Sequence, residues 1–424
     1  MKKIIILLSM SLIMTSCKKD FLDVNTDPSK VTSTDPKLIL SSAIVNAAYT
    51  KGGEASKFSC IFSNQLIGAD RQALSYSNYI ISAGDLDNLW KYNYYSSSMK
   101  ADFDLITQAK TQKKPHYQAL GNILMAMSLT ECSDMWGDIP YSEAFQGIDV
   151  ISPKFDNQLS IYISSDKLLD EAISLLNASD NGVPVSESYD LLYGGDVTKW
   201  IKLAYGIKAR NYIHLTKRDA SYSQKALDAA NMSLSSAADN AIVNFTTAQN
   251  NPWFQFNDNR GDIFVHDYFL GLIDADPRKD MFVNSDGMVG SYYASPSSPV
   301  DVLTYEEIKF IIAEAKANLG QDASSDFIDA VTANVKRVTG AVDAAFVSSV
   351  TADASLSNIM TQKYIAMFTS PQSWTDWRRT GFPALTPNTG GSIPRSLLYP
   401  SVEITANKNA PANTSIYKKV WWDL

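Results

Sequence analysis

The strongest constraint on this chain is a series of apolar stripes at helical spacing that come in close pairs. After Pro115, Leu120, Ile123, Leu124, Met127 and Leu129 mark a helix to about Asp134. Residues 159–178 carry a second stripe, with Ile161, Leu168, Leu169, Ala172, Ile173 and Leu176. Asp196 opens a helix to about Lys217, and 221–237 follows after a short break. Residues 304–320 and 324–338 repeat the arrangement. Earlier, Leu38, Leu40, Ala43, Ile44 and Ala47 form a stripe, Phe58, Ile61, Phe62 and Leu66 predict a helix over 56–67, and a long aromatic pattern runs from Asp87 to about Lys110. Short connections make successive helices antiparallel neighbours. Pairs of roughly 30–40 residues suggest tetratricopeptide-like stacking. Trp200, Leu203, Ala204 and Ile207 fit the start of such a unit. The expected fold is mainly α: a helical-pair scaffold over 37–424, with long irregular loops and a few short strands on one side.

Those loops are 68–86, 135–158, 240–302 and 370–424. The first has no helical period and reads as a loop. Residues 240–302 read as irregular, with two helices at most. Gly137 and Pro140 stop the helix before them, so Trp136 and Tyr141 should cover its end in a tight turn.

The N-terminus speaks to location. Met1-Lys2-Lys3 is a short basic region, and Ile4 to Ile13 is apolar apart from two serines. That run is too short for a membrane span and suits a signal peptide. It leads into Thr15-Ser16-Cys17, which resembles a bacterial lipobox. The expectation is cleavage after residue 16, acylation of Cys17 with a fatty chain such as palmitate, and a polar tether over 17–36.

A net charge of −8 with no basic tract argues against nucleic acid. Cys60 and Cys132 sit in apolar helical patterns and read as buried thiols rather than a bridge. His116, His214 and His266 lack metal-ligand spacing, and no nucleophile elbow, phosphate loop or dinucleotide fingerprint is present. No catalytic residue, metal site or cofactor is therefore assigned. Carboxylates are numerous, so a glycosidase pair placed by the fold stays open.

What the loops offer is flat aromatic rings beside amides and charges. Tyr76 and Tyr79 lie near Arg71 and Gln72; Trp253, Phe254 and Phe256 lie among asparagines; Tyr292 and Tyr293 lie beside serines. Rings can stack on the C–H faces of a sugar while amides, carboxylates and Arg bind its hydroxyls. Arg71, Tyr76, Tyr79, Trp253, Tyr292 and Tyr293 are the candidate ligand-binding residues. Asp276-Pro277-Arg278 reads as a structural turn.

Four motifs carry a resemblance: WGDIPYSEAFQG, W-x-K-LA-x-GIKAR, AEAKANLG and W-x-D-WRRTGFP, the last following the helix QKYIAMF. Together they resemble the SusD/RagB family of Bacteroidetes outer-membrane lipoproteins. The bland reading of Trp374 and Trp377 is that they lock a late loop onto the helices before it. The resemblance implies four stacked helix pairs and no cofactor. It also implies capture of oligosaccharides, or of peptides as in RagB, at the cell surface, and delivery to a SusC-type TonB-dependent transporter. A glycan hydrolase and a helical adaptor that binds only protein are the remaining alternatives.

Overall fold

The computed structural model describes residues 33–412 and 415–424. Cys17 and the tether up to residue 32 lie outside them. The scaffold helices are α1 (Pro36–Thr50), α2 (Met99–Thr111), α3 (Pro115–Trp136), α4 (Gln158–Leu176), α5 (Val197–His214), α6 (Tyr222–Asn231), α7 (Tyr305–Asn318), α8 (Ser324–Thr339), α9 (Leu356–Ala366) and α10 (Gln372–Thr380). Each of α1 to α8 packs beside its sequence neighbours, giving four stacked pairs. The helical-pair scaffold expected from the sequence is the one observed.

Local chemistry sets these boundaries. The Asn157 side chain accepts from Ser160 N–H at 2.9 Å and starts α4; Asp196 accepts from Thr198 N–H at 3.0 Å and starts α5. Gly137, at φ +91°, ends α3, and Trp136 then covers that end, its indole donating to the Leu398 carbonyl at 2.8 Å. From Ala119 to Trp136, α3 is buried all round. It separates two cores, which explains its weak amphipathicity. Leu120, Ile123 and Met127 face the core under the helix pairs, with Trp200 and Leu203. Met125, Leu129, Cys132 and Trp136 face an aromatic core on the irregular side, with Phe58, Trp90 and Trp374. Cys60 and Cys132 are unbridged and buried. Burial pushes the Cys60 thiol up to about 12.

Two small antiparallel ribbons tie distant loops together. β1 (Leu66–Gly68), β2 (Ala241–Val243), β3 (Ile263–Val265) and β4 (Val300–Leu303) pair as β1 with β3 and β2 with β4. Ile67 lies opposite Phe264, and Val243 opposite Val300.

Several local expectations need correction. The helix expected over 56–67 stops at Phe62; a π-helical turn over Lys51–Ala55 precedes it, and Asn64 at φ +55° turns the chain into β1. The 68–86 stretch is not all loop: Arg71–Ser77 is a helix, with Asp70 accepting from Arg71 N–H at 2.8 Å. Residues 240–302 hold four short helices, each under nine residues, too brief to show a period. The W-x-D-W-R-R segment is helix α10, not loop. Trp374 lies in the core, donating to the Pro394 carbonyl at 3.0 Å, while Trp377 is half-buried.

α10 also completes a buried ionic network. Arg379 makes a bidentate pair with Glu314 of α7 and a pair with Asp376 at 2.6 Å. Lys363 of α9 adds contacts to Asp376 at 2.9 Å and to Glu314 at 3.6 Å. Nearby, Arg210 of α5 donates to Glu307 of α7 at 2.6 and 2.7 Å. Asp276 likewise accepts from Arg278, whose guanidinium also reaches Asn334 at 2.6 Å. The AEAKANLG, QKYIAMF and WRR segments thus supply partners to one another inside the scaffold, while GIKAR is held by Glu307, earlier on the helix that carries AEAKANLG.

Candidate functional site

The 68–86 and 240–302 stretches converge on one cleft. β1–β3 pairing brings the helix Arg71–Ser77 beside the end of the helix Pro252–Asn259. The cleft between them has room for about 170 Å³ and is lined by Glu54, Lys57, Gln72, Tyr76, Asp85, Asn88, Phe256, Arg260 and Asp262, among others.

Its floor is a cation set among rings. The Lys57 ammonium lies 5.0 Å from the Phe58 ring centre, 5.5 Å from Tyr76 and 5.2 Å from Phe256. It donates to both Glu54 oxygens at 2.7 Å. The Tyr76 hydroxyl donates to Asp85 at 3.2 Å, and Asp85 also accepts from the Ser82 hydroxyl at 2.6 Å. Burial first, then the Asp85 charge, raises the Tyr76 phenol above its ordinary value, so it stays a neutral donor. The side chains of Gln72, Asn88, Arg260 and Asp262 have no hydrogen-bond partner among the described residues. Two amides, a guanidinium and a carboxylate are therefore free to bind hydroxyl or amide groups of a ligand, around an aromatic floor.

A family profile described as starch-binding and associating with the outer membrane matches residues 28–400. The chain belongs to the SusD-like family.

Solved structures agree on the fold. A SusD/RagB family protein from Bacteroides thetaiotaomicron superposes with a TM-score of 0.77 at 24% identity, over 92% of this chain and 99% of that one. A chitin-binding SusD homolog from Flavobacterium johnsoniae gives 0.75 at 17% identity, over 91% and 98%. An outer-membrane protein from Bacteroides vulgatus, linked to nutrient binding, gives 0.72 at 20% identity, over 92% and 100%. Among curated proteins none matches.

In this SusD-like chain the six candidate ligand residues do not share one site. Tyr76 lines the cleft and is largely buried. Arg71 sits exposed at the start of its helix, 3.8 Å from Asp70, and its neighbour Gln72 reaches the cleft instead. Tyr79 is buried behind, against Phe62, its hydroxyl accepting from Asn388 N–H at 3.0 Å. Trp253 is buried and donates to the Ser56 hydroxyl at 3.0 Å. With Tyr292 and Tyr293 it borders a separate, partly enclosed pocket of about 30 Å³. Tyr292 accepts from Arg337 at 2.7 Å, and Tyr293 packs on Phe282. The faces of Tyr79, Trp253 and Tyr293 are occupied by protein, so these rings pack the loops rather than meet a surface ligand. Sequence reasoning passed over Glu54, Lys57, Asp85 and Asn88. The Glu54–Lys57 spacing, three apart, was the one available signal for them.

Proposed function

We propose that this SusD-like chain is a cell-surface lipoprotein that binds carbohydrate in the cleft between Gln72 and Arg260 without transforming it. The observation that carries this reading is the combination of a ring-lined floor with the unengaged Gln72, Asn88, Arg260 and Asp262. The family description and the chitin-binding homolog favour a glycan over a peptide. Capture without turnover fits the cleft's acids: Glu54 is held by Lys57, and Asp85 by Ser82 and Tyr76, which leaves Asp262 as a single unengaged carboxylate where hydrolysis takes a pair. Neither Glu54 nor Asp85 is placed as a free partner of a hydrolytic pair.

Calorimetry against a glycan panel tests the reading, run beside an assay for new reducing ends. Binding without turnover, weakened by the Gln72→Ala/Arg260→Ala double variant, is expected. Reducing ends that accumulate with time, or a double variant that binds as the wild type does, would overturn it.

The lipid anchor at Cys17 and delivery to a SusC-type TonB-dependent transporter complete the proposal, with no cofactor. Labelled palmitate should enter the wild type and not Cys17→Ala. Detergent extraction should bring down a large barrel protein with the chain. Co-purification with the barrel and no glycan binding would favour the protein-only adaptor.

A further inference from the structure

A second corner of the molecule carries ligand chemistry of another kind. The chain is acidic overall, at −8. Yet Lys217, Arg218, Lys418 and Lys419 are all exposed, and none has a carboxylate partner among the described residues. Arg218 stacks on Trp421, its guanidinium carbon 4.8 Å from the ring centre, and Arg395 lies 4.9 Å from the ring centre of Trp377. Both tryptophans are only half-buried.

Two clefts open here and share Lys419. One, of about 480 Å³, is lined by Trp421, Lys418, Asn157 and Asp138, among others. The other, of about 430 Å³, is lined by Trp377, Tyr417, Arg395 and Ser392, among others. Each is of the size that small-molecule sites occupy, about 300–1,000 Å³.

Of the carboxylates at this corner, one is paired with a cation and two accept backbone N–H groups. Asp423 is buried and pairs with Arg395 at 2.7 Å. Asp138 accepts from Gln158 N–H at 2.9 Å, and Asp219 from Ser221 N–H at 2.9 Å. The positive charge is felt within the protein. Partial burial lowers the Lys217 ammonium, and Arg395, Arg379 and Lys419 lower it further against the opposing pull of Asp423. Exposed cations beside half-open rings suit a ligand that has both an anionic group and an apolar ring face.

We propose that the two clefts flanking Lys419 form a second carbohydrate site, selective for acidic sugar chains that carry carboxylates. Trp421 and Trp377 would offer the ring surface that Arg218 and Arg395 leave uncovered, and Lys418 and Lys419 would meet the carboxylates. No residue lining these clefts lines the first one, so the inference does not rest on the reading of that cleft.

The test is calorimetry of the full chain with trigalacturonate and with its methyl ester, which is neutral but has the same rings. The acid form should bind, and the ester about tenfold more weakly. Lys418→Gln/Lys419→Gln should weaken the acid form about tenfold with an unchanged melting temperature, since both side chains are exposed. Trp421→Ala should weaken both forms. Gln72→Ala/Arg260→Ala should leave trigalacturonate binding as it is. No binding of trigalacturonate, equal affinity for acid and ester, an unaffected lysine variant, or loss in the Gln72/Arg260 variant would each overturn the proposal.

Discussion

Arg379 and Glu314 form a bidentate pair across 65 residues of sequence, both nearly inaccessible to solvent, with one arm at 2.6 Å. Asp376 and Lys363 close the set. A buried pair is weak evidence of net stability, but removing one member strands the other charge. Arg379→Met should therefore cost about 3–5 kcal/mol. Urea unfolding measures it, and an unchanged midpoint would show that the network relaxes without harm.

The same network sets a response to acid. Burial alone would raise the Asp376 carboxyl; the Arg379 and Lys363 charges overcome it and hold it well below the usual carboxylate range. Glu307 is also depressed, by Arg210, against burial. Below about pH 4 the unfolded chain binds protons at these positions that the folded chain does not. Their contribution is complete above that pH and is lost as pH falls through the lower folded values. Unfolding free energy measured from pH 6 down to pH 2 should drop, and Asp376→Asn should flatten the slope. A variant with the wild-type slope would remove Asp376 from the account.

Asp102 behaves in the opposite sense. It is buried in α2 and has one bond, from the Ser128 hydroxyl at 3.0 Å. Burial raises its carboxyl well above the ordinary range, and Ser128 offsets this only in part. The folded chain keeps a proton that the unfolded chain releases above about pH 4, so stability falls as pH rises from there, by about 1.4 kcal/mol for each unit of separation. Asp102→Asn should raise the melting temperature at pH 7 and leave it nearly unchanged at pH 4. Equal effects at both values would contradict a buried protonated acid.

Gly68 links the scaffold to the proposed ligand cleft. A Cβ there would lie 2.1 Å from the backbone carbonyl of Ala73, which cannot yield as a flexible side chain does. Gly68→Ala must push away the helix Arg71–Ser77, which carries Gln72 and Tyr76. Overpacking of this kind costs about 1–3 kcal/mol. The expected readout is a larger fractional loss of glycan affinity than an Arg260→Ala change gives, with β1–β3 amides exchanging faster. Full affinity would mean that the helix position is not what shapes the cleft.

Much of the scaffold was legible because long helices print their period on the sequence. The stripes over 115–134 and 196–217 became α3 and α5, and Trp374 proved to be core. Short elements were not legible. Arg71–Ser77 has seven residues and buries only Ala73, Tyr76 and Ser77, fewer than a helical period needs to be seen. The ionic network was hidden for a different reason. Lys363, Asp376 and Arg379 look like surface charges in one dimension, and only the fold brings Glu314 to them. The aromatic loops misled most. Trp253 and Tyr293 stand among polar neighbours in sequence but point inward, while the cleft's free groups are the inconspicuous Gln72, Asn88 and Asp262.

β1 meets β3 through only three residue pairs, yet that short ribbon joins stretches nearly two hundred residues apart. Neither stretch holds the charges that knit α7, α9 and α10 together. Mutations can therefore rewrite the mouth of the cleft while the frame beneath it stays put. Evolution could exchange the exposed Gln72 and Arg260 freely, so long as Trp253, Phe269 and Phe282 of the same stretches keep their places in the core.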